Sequence, residues 1–209
     1  MLINTLLSLG ISTTLAWAEA KTYRIDPVHS RLSFEVPHLM SKVEGHFLEF
    51  EGDFTFDPEN LKNSKVSVKI QPTSLTTHHT KRDEHLKSPD FFDVKKYAEI
   101  QFISKSVTEK KKRTPRDPTL YLIAGTLKLH GISKDIVLEA QPLGTAIDPW
   151  GARRIGFQAH ASLNRRDFGI QWNRNLTQGG YLIGDDVELT IMIEGIEQVQ
   201  QEPEAKKKD

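Results

Sequence analysis

Residues 121–138, YLIAGTLKLHGISKDIVL, decide the fold. Tyr121, Ile123, Leu127 and Leu129 share one parity, while Thr126, Lys128 and His130 hold the other. Alternation with period two marks a strand with one buried and one wet face. After Gly131 the apolar set resumes as Ile132, Ile136 and Leu138 with its parity switched, so His130-Gly131 is expected to turn a hairpin. The same ladder recurs outward in both directions. It reads Leu32, Phe34, Val36, then Val66, Val68, Ile70 on the N-terminal side. On the C-terminal side it reads Ile155, Phe157, Ala159, Ala161, Leu163, then Val187, Leu189, Ile191, Ile193. Between Val43 and Phe56 the phase slips: Val43, Gly45 and Phe47 are odd, whereas Phe50, Phe54 and Phe56 are even. A bulge near Leu48-Glu49 would restore the register and bend the strand, as barrel closure requires. Glycines 45, 52, 125 and 156 inside strands point to bends or close backbone approach. About eight such strands predict one all-β domain, an antiparallel barrel or sandwich.

One stretch breaks the rhythm. Residues 74–102, SLTTHHTKRDEHLKSPDFFDVKKYAEIQF, carry a charged run and then an aromatic pair. Thr76 or Thr77 is suited to cap a short helix near residues 77–87, with Leu86 as its apolar contact and Ser88-Pro89 as its stop. A short polar helix followed by Phe91-Phe92 suggests a lid over one end of a barrel.

This stretch also resembles the signature of the YceI-like family of periplasmic, lipocalin-like, polyisoprenoid-binding proteins. The matching residues are Arg82, Asp83, His85, Leu86, then Ser88, Asp90, Phe91, Phe92, Asp93, Val94, then Tyr97, Ile100, Phe102; Ala98 stands where the family usually has proline. A second block, Asn164-Arg165-Arg166-Asp167-Phe168-Gly169 with Trp172, is similar to the family's Asn-Arg-x-Asp-Phe-Gly-x-x-Trp. Tyr23-x-Ile25-Asp26-x-x-His29-Ser30 and Gly184-Asp185-Asp186-Val187-x-Leu189 fit as well, so the resemblance runs from about residue 22 to 197. It implies an eight-stranded antiparallel lipocalin-like β-barrel holding an isoprenoid or other long aliphatic amphiphile in an apolar cavity.

Composition sets the frame. Lys+Arg and Asp+Glu both number 28, so no global field favours nucleic acid. The absence of cysteine removes disulfides, thiol catalysis and Cys-ligated metals. Residues 1–20 contain one charge, Glu19, an apolar run from Leu2 to Trp17, and small-x-small sites at Ala16-Trp17-Ala18 and Ala18-Glu19-Ala20. They read as a cleaved signal peptide, although the segment before the apolar run has no Lys or Arg. Export to the periplasm follows, with a barrel domain over residues 21–197. Residues 198–209, with Lys206, Lys207 and Lys208, read as a disordered tail. The run from Lys110 to Arg116 holds five bases in seven residues and reads first as a solvated hairpin tip, with membrane or partner docking as the alternative.

A search for chemistry returns little. His78 and His85 lie seven apart and would need a third ligand such as Glu84, and no HExxH occurs, so no metal is assigned. There is no GxSxG elbow and no phosphate-binding glycine loop, so no catalytic residue or cofactor is assigned. The outward parity is charged at Glu35, Lys69, Lys128, Asp135, Glu139 and Glu188, which excludes an outer-membrane barrel. Small inward residues Gly45, Gly125, Ala159 and Ala161, set among aromatics, would leave room for a void. By position and resemblance, Arg82, His85, Asn164 and Arg165 are expected to meet a head group. Phe34, Phe47, Phe91, Phe92, Phe102, Phe157, Phe168 and Trp172 are expected to line the tunnel. For the Asn164-Arg165-Asp167 motif a structural hydrogen-bonded corner is an equal expectation. A transient contact with the inner membrane and a homodimer stay open as further partners. Two other functions stand beside lipid carriage. One is a stress-related, partner-binding barrel with a filled interior; the other is an enzyme acting on a lipid head group, with Asp83 and His85 as acid and base.

Overall fold

The computed structural model describes residues 20–199. The expected leader and tail therefore lie outside the described residues, apart from Ala20, Gln198 and Val199. The strands are β1 (Lys21–Ile25), β2 (Arg31–His38), β3 (Ser41–Phe47), β4 (Phe50–Phe56), β5 (Lys65–Ile70) and β6 (Leu75–Thr76). After the helix α1 (Thr80–Lys87) come β7 (Ile100–Glu109), β8 (Tyr121–Leu129), β9 (Ile132–Ile147), β10 (Arg153–Asn164) and β11 (Asp186–Glu197).

Pairing closes the sheet on itself. The ladder runs β1-β4-β5-β7-β8-β9-β10-β11 and returns to β1, every pairing antiparallel. β2 continues the line of β1 along β11, which it pairs through Glu188–Met192, while β1 takes Gly195–Glu197. β3 pairs with β2 and with β6, just as β4 pairs with β1 and β5. The first three staves of an eight-stranded meander are thus each broken in two, and the other five are continuous. The ladders left a barrel and a sandwich open, and the eight-stranded antiparallel barrel implied by the resemblance is the fold found.

Local chemistry explains the joints. His130 and Gly131 both have positive φ (51° and 77°) and connect Leu129 to its pairing partner Ile132, the two-residue turn that matches strand twist. The expected slip at Leu48-Glu49 separates β3 from β4, and Ser74 Oγ accepts from the amides of both residues (3.1 and 2.9 Å). Ser30 does the same work between β1 and β2, where its Oγ accepts from the Glu194 amide at 2.9 Å. The breaks at 26–30, 48–49 and 71–74 lie side by side across neighbouring staves, because Phe47 pairs with both Leu32 and Leu75, and Phe50 pairs with Ile70.

Two buried clusters fill the inside. Phe102, Leu127, Leu138, Ala140, Ala159 and Phe168 belong to one, and Tyr23, Ile25, Leu32, Phe50, Phe54 and Ile155 to the other. Gly45 and Gly125 do not leave voids as expected. A Cβ on Gly45 would lie 2.3 Å from the ring of its cross-strand partner Phe34, and one on Gly125 would lie 2.5 Å from the Phe102 ring. Each glycine is the floor on which an aromatic ring lies.

Candidate ligand-binding cavity

The barrel interior is hollow as well as packed. An upper chamber of about 310 Å³ lies at the end where α1 and the β2–β3 and β8–β9 turns sit. A lower chamber of about 150 Å³ lies toward the opposite end. Leu32, Ile70, Leu127, Leu189 and Ile191 line both, so the two form one elongated apolar space with a waist. The lower chamber takes in Phe56, Tyr121 and Phe157, whose rings meet edge to face with centroids 5.4 and 5.2 Å apart. Polar side chains enter the lining of the upper chamber at Ser33, His38, Arg82, His85 and Arg165.

The segment over the upper chamber is built from within. α1 begins at Thr80, with His79 as its cap: the His79 ring accepts from the Arg82 amide. Neither Thr76 nor Thr77 caps it, because both are claimed by Asp83. Thr77 donates to that carboxylate through its amide (2.8 Å) and hydroxyl (2.5 Å), and Thr76 donates at 3.1 Å. Burial opposes the charge on Asp83, but these bonds outweigh it and hold the carboxyl below its usual range. Ser88 ends the helix as expected. Phe91 is buried, and His85 stands edge-on to both Phe91 and Trp172, with centroids 5.0 and 4.8 Å apart. Phe92 meets Phe47 edge to face at 5.7 Å and lies 6.5 Å from Phe34. Aromatic contact thus ties the segment to the β2–β3 wall on one side and to the loop after β10 on the other.

Of the expected contacts, Phe34, Phe47, Arg82, His85, Phe91, Phe92, Arg165, Phe168 and Trp172 line the upper chamber. Phe102 and Phe157 line the lower one. Asn164 lines neither. Its carbonyl oxygen accepts from the Arg166 amide, capping the short 3₁₀ turn Arg165–Phe168, and its amide donates to Asp186. Arg165 borders the chamber, but its guanidinium is fully engaged by the protein itself. Its guanidinium donates to the carbonyls of Gly184, Ile170 and Trp172 and to Asp185, all within 2.9 Å. The structural corner is what the motif builds.

Arg82 is different. Its Nε and Nη2 donate to Thr77 (2.7 and 2.9 Å), and among the described residues it has no carboxylate at ion-pair distance. The Asp83–His85 acid/base pair does not form: His85 Nε2 meets Asp90 at 2.8 Å, while Asp83 faces the threonines. Sequence reasoning missed Leu182 and Ile183, which line the upper chamber. Asn173 holds them there by bonding both the amide and the carbonyl of Ile183, and the only sequence signal was an apolar pair between Gly180 and Gly184.

One polar cluster lies apart from the cavity. Asp26, His29 and Glu194 could together hold a cation, but Arg154 already bridges them. Its Nη1 reaches Asp26 (2.8 Å) and Glu194 (2.6 Å), and its Nε reaches Asp148 (2.8 Å). An arginine supplies the positive charge that these carboxylates require.

A closed eight-stranded meander, an internal apolar chamber and the Asn164–Gly169 corner coincide with a match to the YceI-like domain over residues 23–195. The chain belongs to the YceI-like family. Within it, Protein YceI of Escherichia coli O6:H1 is 39% identical over 184 residues, covering 87% of this chain and 90% of the relative. The solved YCEI protein of Campylobacter jejuni is 33% identical, with a TM-score of 0.64, over 78% of this chain and 90% of its own. A domain from Saccharophagus degradans described as polyisoprenoid-binding shares the fold at 15% identity, with a TM-score of 0.59, over 86% of this chain and all of its own.

Proposed function

We propose that this protein is a periplasmic carrier for an isoprenoid or similarly long aliphatic amphiphile, acting by binding rather than catalysis. The elongated two-chamber cavity carries the reading: its waist is wholly aliphatic, and the arginines and histidines of its lining all lie in the chamber at the helix end. A filled core has no need of such a space. Burying an alkyl chain contributes about 0.8 kcal/mol per methylene before association entropy, so a tail of about ten carbons contributes about 8 kcal/mol toward that cost, and a longer isoprenoid more, without directed polar contacts. The Saccharophagus domain that shares this fold is described as polyisoprenoid-binding, which supports this ligand class. Arg82, at the helix end without a carboxylate partner, is the group suited to an anionic head. Export rests on the leader-like residues 1–20.

Native mass spectrometry of gently purified protein tests this. A co-purifying lipid, or stoichiometric uptake of a prenyl diphosphate added to delipidated protein, is expected. Arg82→Ala should weaken the diphosphate about tenfold and leave a prenyl alcohol unaffected. Protein that neither retains lipid nor takes up either compound ends the proposal.

A further inference from the structure

The end of the barrel away from α1 carries a surface that cavity binding does not use. Residues 141–147 of β9 run past the end of β8, whose first residue Tyr121 pairs with Ala140, while the start of β10 stays paired with β11 as far as Arg154, so the free edge belongs to β9 and the turn that follows it. This edge is apolar and open: Leu143 is 54% exposed, Ile147 66% and Trp150 85%. Beside it stands the β7–β8 loop, which Lys110 anchors to β9 through an ion pair with Glu139. There Lys111, Lys112, Arg113 and Arg116 are exposed. The acids of this rim are largely spent internally. Asp117 accepts from the amides of Arg113 and Thr114, and Asp148 accepts from Arg154; Glu109 remains exposed.

We propose that this rim, Trp150 with Ile147 and Leu143 beside the basic loop 110–116, docks onto the surface of an anionic phospholipid bilayer. The charge argues the occupant: residues 109–117 carry five bases against two acids, and this net positive loop beside an exposed indole suits a negative interface where the lysines meet phosphates and the tryptophan enters the headgroup layer. The proposal is independent of what fills the cavity.

Vesicle sedimentation of the full chain tests it, with phosphatidylglycerol vesicles set against phosphatidylcholine vesicles, both free of isoprenoid. Retention on phosphatidylglycerol alone is expected, weakening as salt rises. The triple variant Lys111→Glu, Lys112→Glu, Arg113→Glu should lower partitioning at least a hundredfold, at about fivefold per base lost. Trp150→Ala should lower it about tenfold and abolish the vesicle-induced blue shift in emission. All variants keep the same termini, so differences among them report the rim, and an unchanged far-UV spectrum and urea midpoint for each verifies its fold. Retention on neither vesicle, equal retention on both, or loss in only one of the two variants overturns the proposal. Because no vesicle contains an isoprenoid, that failure leaves the carrier reading untouched.

Discussion

Arg165 and Asp26 come from motifs that a functional reading claims first, and both prove to be fasteners. The Arg165 guanidinium is 5% exposed and satisfies three backbone carbonyls and Asp185, so the loop after β10 is pinned at four points by one side chain. Asp26 is held down to about 2: burial opposes its charge, but bonds from His29, Arg154 and the Val28 amide prevail. A carboxyl depressed in the folded state stabilises above its unfolded value of about 3.9, and that contribution is lost as pH falls through about 2. Asp26→Asn should therefore remove at most about 2 kcal/mol near neutral pH and flatten the stability profile between pH 4 and 2, as urea titrations across that range would record. An unchanged slope would mean that other carboxyls govern acid unfolding.

The segment from β6 through α1 to Phe92 is fastened differently, by rings. Because α1 has no buried residue of its own, its place depends on Phe91 packing between His85 and Trp172. Phe91→Ala should cost about 3 kcal/mol and open the upper chamber, raising binding of a fluorescent apolar dye while the barrel's far-UV signal persists. Greater dye uptake without loss of stability would show that the segment is held elsewhere. The strands around it were legible because one wet face leaves its period in the sequence; the Val43–Phe56 slip and the His130-Gly131 turn could even be placed to the residue. Cap chemistry was less so. Thr77 looks like a cap by type, yet Asp83, six residues on, claims its donors, a competition visible only in space. The same holds for Asn164 and Leu182-Ile183, whose roles depend on partners about 20 residues downstream or ten residues upstream. Gly45 and Gly125 signalled room, and the occupant of that room was the neighbouring ring.

Seen entire, the molecule joins a polar fastening at one end, an aromatic cover at the other and an aliphatic passage between them. Its two faces are unequal. β7 to β11 run unbroken, whereas the first three staves are interrupted side by side, at 26–30, 48–49 and 71–74. At those interruptions the regular ladder gives way to isolated backbone bonds, Asp26 to Glu194 and Gln71 to Glu49, and to the hydroxyls of Ser30 and Ser74, which accept the amides of Glu194, Leu48 and Glu49. Hydrogen exchange should accordingly be fastest in β2, β3 and β6 and slowest in β8 to β10 of the apo protein, and a bound tail should slow the former set most. Uniform protection around the barrel would contradict this. The row of interruptions acts as a gusset in an otherwise stiff tube. On the proposed carrier reading, a container with one pliant panel would swell to admit a guest of variable girth while its rim kept a constant circumference, and tolerance of different cargoes would then lie in the wall, not the floor.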